Sequence, residues 1–160
     1  MNFRIGIGYD VHRLEEGLPF VLGGIRLTHY RGPVGHSDGD VLIHAICDAM
    51  LGALALGDIG IHFPDTDDEF KNIDSRILLE KTVNMIRFHG YEISNLDATV
   101  CLQEPKISGF IPEMIRVLSD VLGIDQHQLS VKATTTEKLG FVGDESGVSA
   151  YAVVLLEKKD

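Results

Sequence analysis

A chain of 160 residues, 44% apolar and 24% charged, can bury a core of its own, which excludes a disordered or fibrous protein. Fourteen lysines and arginines against 24 aspartates and glutamates give a formal charge of −10, and the basic residues are scattered, which argues against a nucleic-acid partner. An anionic ligand would then be held by backbone amides, a few placed cations or bound metal ions, of which metal is the simplest expectation on so acidic a chain.

No apolar run approaches the roughly 20 residues of a membrane span, and MNFRIGIGYD lacks the greasy stretch and small-residue cleavage site of a signal peptide. The expectation is a soluble, unexported, cytoplasmic protein that meets no membrane. Cys47 and Cys101 stand far apart without a CxxC motif, which reads as two buried free thiols in a reducing compartment.

Phe3 to His12 alternates apolar with small or polar residues, the period of a strand, and Pro19 to Leu27 reads as a second strand that could pair with it in a hairpin. The run YRGPVGHSDG, Tyr30 to Gly39, is a loop leading into a buried helix over Val41 to Leu56. Pro64 and the turn residues of Asp58 to Asp68 break any period, and amphipathic spacing returns over Asp74 to His89, with Gly90 as the stop. Asn95 to Gln103 reads as a strand, Pro112 opens a third helix to Leu122, and Leu129 to Ala133 and Val148 to Leu156 supply two more strands. Three helices interleaved with about five strands, without linker or repeat, imply one α+β domain over 1–160 with a mixed sheet and helices on one face.

Asp10 and His12 lie two apart on a strand, so both side chains leave the same face. Asp40, His44 and Asp48 are spaced by four on a helix that is otherwise nearly all apolar, a stripe that is costly to bury without a partner or an ion. Joined, Asp10, His12 and His44 would make a three-ligand metal site with an open fourth position, the arrangement of a catalytic zinc, and Asp40 or Asp48 could orient His44. A strand histidine capped by its neighbouring carboxylate and a satisfied core histidine on the helix would give the same spacing, so the pattern alone leaves both readings open. His29, His62, His89 and His127 take a structural reading. VKATTTEKLGF, Val131 to Phe141, offers hydroxyls and amides beside Glu137, a set suited to a diphosphate with Mg2+ but equally to a threonine-rich edge strand. QEPKISG, Gln103 to Gly109, could line a small-molecule pocket or be an ordinary strand-to-helix loop, and HFPDTD, His62 to Asp67, suits sugar hydroxyls or solvent.

Taken together, GYDVHRL at 8–14, GHSDGDVLIHAICDAMLGALALGDIGIHFPDTD at 35–67, DSR at 74–76 and VKATTTEKLGF at 131–141 resemble the 2-C-methyl-D-erythritol 2,4-cyclodiphosphate synthase family over essentially the whole chain. The resemblance implies a homotrimer of α+β subunits with active sites between neighbours. It implies one Zn2+ per subunit on Asp10, His12 and His44, and a second ion, Mg2+ or Mn2+, on Glu137. His36 and Thr135 match positions that stabilise the transition state, and His36 and Ser37 match a mobile loop over the substrate phosphates.

Further substrate contacts implied by the resemblance fall at Asp58, Ile59 and Gly60 for the ribose, and at Phe63, Asp65 and Asp67 for the methylerythritol part. Leu102, Pro105, Lys106 and Ser108, closed by Ala133 and Thr135, match the cytosine pocket, with Thr134, Thr136 and Phe141 nearby. The implied reaction converts 4-diphosphocytidyl-2-C-methyl-D-erythritol 2-phosphate to the 2,4-cyclodiphosphate with release of CMP, in non-mevalonate isoprenoid biosynthesis. A zinc-dependent phosphoesterase and a non-catalytic nucleotide or isoprenoid-diphosphate binding protein are the alternatives. One departure stands out: where many members carry an arginine facing the threefold axis after the GF motif, this chain has Asp144 with Glu145 beside it, which would repel a diphosphate there.

Overall fold

The computed structural model describes residues 2–159. A five-stranded mixed sheet runs in the order β4 (Arg31–Pro33), β1 (Phe3–Glu16), β7 (Gly147–Lys158), β5 (Tyr91–Cys101), β6 (Leu129–Thr134). The β1/β4, β1/β7 and β5/β7 pairs are antiparallel, and β5/β6 is parallel. The three long helices expected from the periodicity are α1 (Val41–Ala53), α3 (Ser75–Phe88) and α4 (Ile111–Leu122), and the apolar side chains of all three join one core with the inner face of the sheet.

Several expectations need correction. Pro19 to Leu27 is not one strand paired with β1: it folds on itself as β2 (Phe20–Leu22) and β3 (Ile25–Leu27), because Gly23 and Gly24, with φ of 60° and 76°, supply a left-handed turn. The partner of β1 along most of its length is instead β7, at the far end of the chain, a pairing that no local pattern announces, and its end pairs with β4, inside the stretch read as a loop from Tyr30 to Gly39. The first helix ends at Ala53, where Ala55 turns left-handed at φ 56°, and the stretch after it holds a four-residue helix, α2 (Ile59–His62), and a 3-10 turn over Asp68–Phe70 rather than plain loop. A further short helix, α5 (Gly140–Gly143), precedes β7. Cys47 is buried as expected, but Cys101 is only half-buried on the outer side of the sheet.

The contact that matters most for function is α1 on β1. A Cβ on Gly6 would lie 1.9 Å from the Ala49 carbonyl oxygen, and one on Gly8 would lie 1.9 Å from that of Ala45. Only glycine lets the helix backbone rest directly on the strand. The strand's alternation then continues with Asp10 and His12 on this same inner face, beside the turn of α1 that carries His44. On the opposite face, Ile5, Ile7, Tyr9 and Val11 of β1 and Tyr151 and Val153 of β7 are all exposed, with Ile5 and Ile7 at 71% and 70%. No described helix is long and apolar enough to cross a membrane.

Candidate active site

Asp10, His12 and His44 meet at the end of β1. The Asp10 Oδ2 atom is 2.9 Å from His12 Nε2 and 3.0 Å from His44 Nδ1, and the two imidazole nitrogens are 3.2 Å apart. A tetrahedral zinc with ligands about 2.0–2.1 Å away holds them about 3.3 Å from one another, so this triangle is close to one face of such a site. His12 Nδ1 donates to the Val34 carbonyl at 2.8 Å. A carbonyl only accepts, so the inward Nε2 of a neutral His12 is a bare lone pair. An arrangement that aims a carboxylate oxygen and an imidazole lone pair at one point closes only around a cation, either a proton or a metal ion.

The electrostatics agree. Burial pushes the Asp10 carboxyl up, but the His12 and His44 imidazoles beside it favour its charged form, outweigh burial and bring it down to about 2. Burial lowers His12, and the Asp10 carboxylate more than reverses this, holding the imidazole above its usual value. Among the described residues, these three are the group of histidine, cysteine and acidic side chains whose ligand atoms converge for a metal.

Neither Asp40 nor Asp48 orients His44, contrary to the reading of the helix stripe. Asp40 is fully buried and caps α1 by accepting from Ile43 N, while Gly23 N and Gly24 N donate to it at 3.0 and 2.7 Å and pin the β2/β3 turn to the helix start. Asp48 accepts from Ile59 N at 2.7 Å and anchors α2. Both carboxyls are pushed up by burial. The outer nitrogen of His44, Nε2, instead faces Ser37 Oγ at 3.0 Å and Ser75 Oγ at 3.1 Å. Ser75 is a residue that sequence reasoning left without a role, although the DSR motif at 74–76 had been singled out.

His12 and His44 open into a cavity of about 330 Å³ that also takes in His36, Ser37, Ile59, Gly60, Phe63 and Asp65. Phe70 and Leu78, to which the sequence alone assigned no role, complete its wall. The loop carrying His36 and Ser37 is tied down by Asn72 N to the His36 carbonyl at 2.7 Å and by Asp38 N to the Ile73 carbonyl at 3.1 Å. Asp58 and Asp67 lie outside this lining and act locally, as the caps of α2 and of the 3-10 turn.

A second cavity, about 170 Å³, gathers Leu102, Gln103, Pro105, Lys106, Ile107 and Ser108 of the expected stretch with Ala133, Thr134 and Thr135. The two cavities share no lining residue. Asp10 pairs with Ala150, Ala150 with Val100 and Val100 with Ala133, so their backbones are three strand spacings apart, about 14 Å. Thr136, Glu137 and Phe141 line neither cavity. Glu137 and Lys138 follow β6 in left-handed conformations, φ 53° and 62°, which costs about 1–2 kcal/mol each. Lys138 N donates to Gln103 Oε1 at 3.3 Å, holding this turn beside the second cavity and leaving the Glu137 carboxylate exposed.

A family model described as the YgbB family matches residues 3–157. The 2-C-methyl-D-erythritol 2,4-cyclodiphosphate synthase of Bacteroides thetaiotaomicron is 58% identical over 158 residues, 99% of each chain. The chain belongs to the YgbB family of cyclodiphosphate synthases. The synthase of Porphyromonas gingivalis is likewise 58% identical, over 96% of this chain and 95% of its own. Among solved structures, IspF of Plasmodium falciparum in complex with CDP superposes with a TM-score of 0.87 at 38% identity, covering 100% of this chain and 99% of that one. The bifunctional IspDF of Campylobacter jejuni gives 0.95 at 42% identity, with 99% of this chain matching 43% of that longer protein. The family resemblance read from GYDVHRL, the 35–67 segment and VKATTTEKLGF therefore holds along the whole fold.

Proposed function

We propose that this chain catalyses the cyclisation of 4-diphosphocytidyl-2-C-methyl-D-erythritol 2-phosphate to 2-C-methyl-D-erythritol 2,4-cyclodiphosphate with release of CMP, as a cytoplasmic enzyme of non-mevalonate isoprenoid synthesis. The observation that carries this reading is the triad of Asp10, His12 and His44, whose two histidines open into a cavity, in a chain 58% identical to named synthases from end to end. One oxygen of the 2-phosphate attacks the β-phosphorus, and the bond from that phosphorus to the CMP oxygen breaks. The nucleophile is already ionised, so no general base is required; the barrier is the approach of two anions and the ordering of a flexible chain.

Asp10, His12 and His44 would hold Zn2+, and Glu137 would hold Mg2+ or Mn2+. When bound, such ions act as Lewis acids on phosphoryl oxygens and offset the charge that builds up there. His36 and Thr135 donate hydrogen bonds to the reacting phosphates, and Ser37 helps to seat them. Asp58, Ile59 and Gly60 position the ribose, Phe63, Asp65 and Asp67 the methylerythritol part, and the cavity around Leu102, Pro105, Lys106 and Ser108 takes the cytosine. Ala133, Thr134, Thr136 and Phe141 complete that side.

In one chain the metal corner and the nucleotide cavity are about 14 Å apart along the sheet. The exposed apolar strip of Ile5, Ile7, Tyr9, Val11, Tyr151 and Val153 is the kind of surface that oligomers bury. A homotrimer closed through this face would bring the metal corner of one subunit to the nucleotide cavity of the next.

Mass spectrometry of products after incubation with the cytidine diphosphate substrate and Mg2+ tests the reading. CMP and the cyclic diphosphate in equal amounts are expected; free phosphate would identify a phosphoesterase, and unchanged substrate a binding protein.

A further inference from the structure

His44 is gripped from behind by two serines whose hydroxyls are not equivalent. Ser75, the first residue of α3, is wholly buried, and its Oγ donates to Asp38 Oδ1 while its own backbone N–H donates to Asp38 Oδ2 at 3.0 Å. Asp38 also receives the Asp40 backbone N–H at 3.2 Å, so the carboxylate is held in place by three donors. A carboxylate only accepts, so the single hydroxyl proton of Ser75 is committed to Asp38 and only lone pairs remain for His44 Nε2, 3.1 Å away. Ser37 also lies 3.0 Å from that nitrogen but carries a free hydroxyl proton, which can point either way.

We propose that Asp38 and Ser75 are positioning residues that fix the tautomer of His44. Asp38 orders the Ser75 hydroxyl, the hydroxyl demands a proton on His44 Nε2, and the bare Nδ1 is thereby turned toward Asp10 and His12. The arrangement mirrors the opposite imidazole, where the Val34 carbonyl claims the Nδ1 proton of His12 and leaves Nε2 bare. Two partners, neither of them a ligand, thus aim two lone pairs at one point. Orientation from behind of this kind raises the basicity of a ligating imidazole as well as its order, and its loss typically costs about 10–100-fold in metal affinity.

The inference rests on the metal reading of the triad, and the test separates the two. Zinc affinity is measured by chelator competition on the wild-type protein and on Ser75→Ala, Asp38→Asn, Ser37→Ala and His44→Ala, with the melting temperature of each zinc-free protein as the check on folding. Ser75→Ala and Asp38→Asn are expected to bind zinc roughly 10–100-fold more weakly, and Ser37→Ala within about threefold of wild type. Ser75→Ala at wild-type affinity beside a His44→Ala that has lost zinc would overturn the relay, as would a loss in Ser37→Ala equal to that in Ser75→Ala. A wild-type protein that binds no zinc would instead sink the reading of the triad. Should Ser75→Ala fail to fold, the histidine 15N NMR spectrum of the zinc-loaded wild type decides alone: His44 protonated at Nε2 and coordinated through Nδ1 supports the relay, and the reverse assignment refutes it.

Discussion

The metal corner and the second cavity, proposed to take the nucleotide, sit at the same end of one sheet and are built on opposite terms. The corner is braced throughout: Asp10 and His12 by a strand pressed against α1, His12 also by the Val34 carbonyl, and His44 by that helix and by Ser37 and Ser75 behind it. The cavity around Pro105 and Thr135 is walled by an edge strand and by loops, and Glu137 stands exposed on a left-handed turn. A cation site has to be in place before the cation arrives, because three ligands 3 Å apart tolerate little error. A pocket of this kind, if it takes the base as proposed, can be completed by a neighbour and by the ligand.

Three experiments would break or sharpen this contrast. The largest effect is expected at the corner: His44→Ala should lose bound zinc and about three orders of magnitude in rate, the several kcal/mol that a Lewis acid supplies, while circular dichroism reports an intact fold. Retained activity in zinc-depleted His44→Ala would end the metal assignment. Next in size is Ile7→Asp, placed on the exposed face where it disturbs no contact of the chain's own core. Sedimentation should show monomers and the rate should fall by roughly two orders of magnitude, whereas zinc affinity should stay within about threefold because all three ligands come from one chain. Zinc lost together with the assembly would mean that the corner is not self-contained. The smallest effect belongs to Glu137→Gln, which removes one exposed charge: a roughly tenfold lower rate and a higher Mg2+ concentration for half-maximal activity are expected, and an unchanged Mg2+ titration would remove Glu137 from that role.

The corner was half legible before the fold was known. Asp10 and His12 follow from a strand period of two, and His44 from a polar residue on an apolar helix, but the stripe logic that picked His44 also picked Asp40 and Asp48, which serve as a helix cap and a loop anchor. Spacing by four places residues on one side of a helix; it does not say which of them faces a metal, a turn or another helix. Ser75 and Asp38 were out of reach for a different reason. They are 37 residues apart and meet only because α3 starts where the loop before α1 passes, and an Asp-Ser pair opening a helix looks like an ordinary cap. The β1/β7 pairing, which joins the two ends of the chain, was hidden for the same reason, whereas the three long helices, each with its own apolar period, were plain.

The two glycines under α1 carry one further implication. With no side chain between helix and strand, the spacing of the three ligands is inherited from backbone resting on backbone. A single methyl group at position 6 or 8 would push against the carbonyl of Ala49 or Ala45 and pry the corner open.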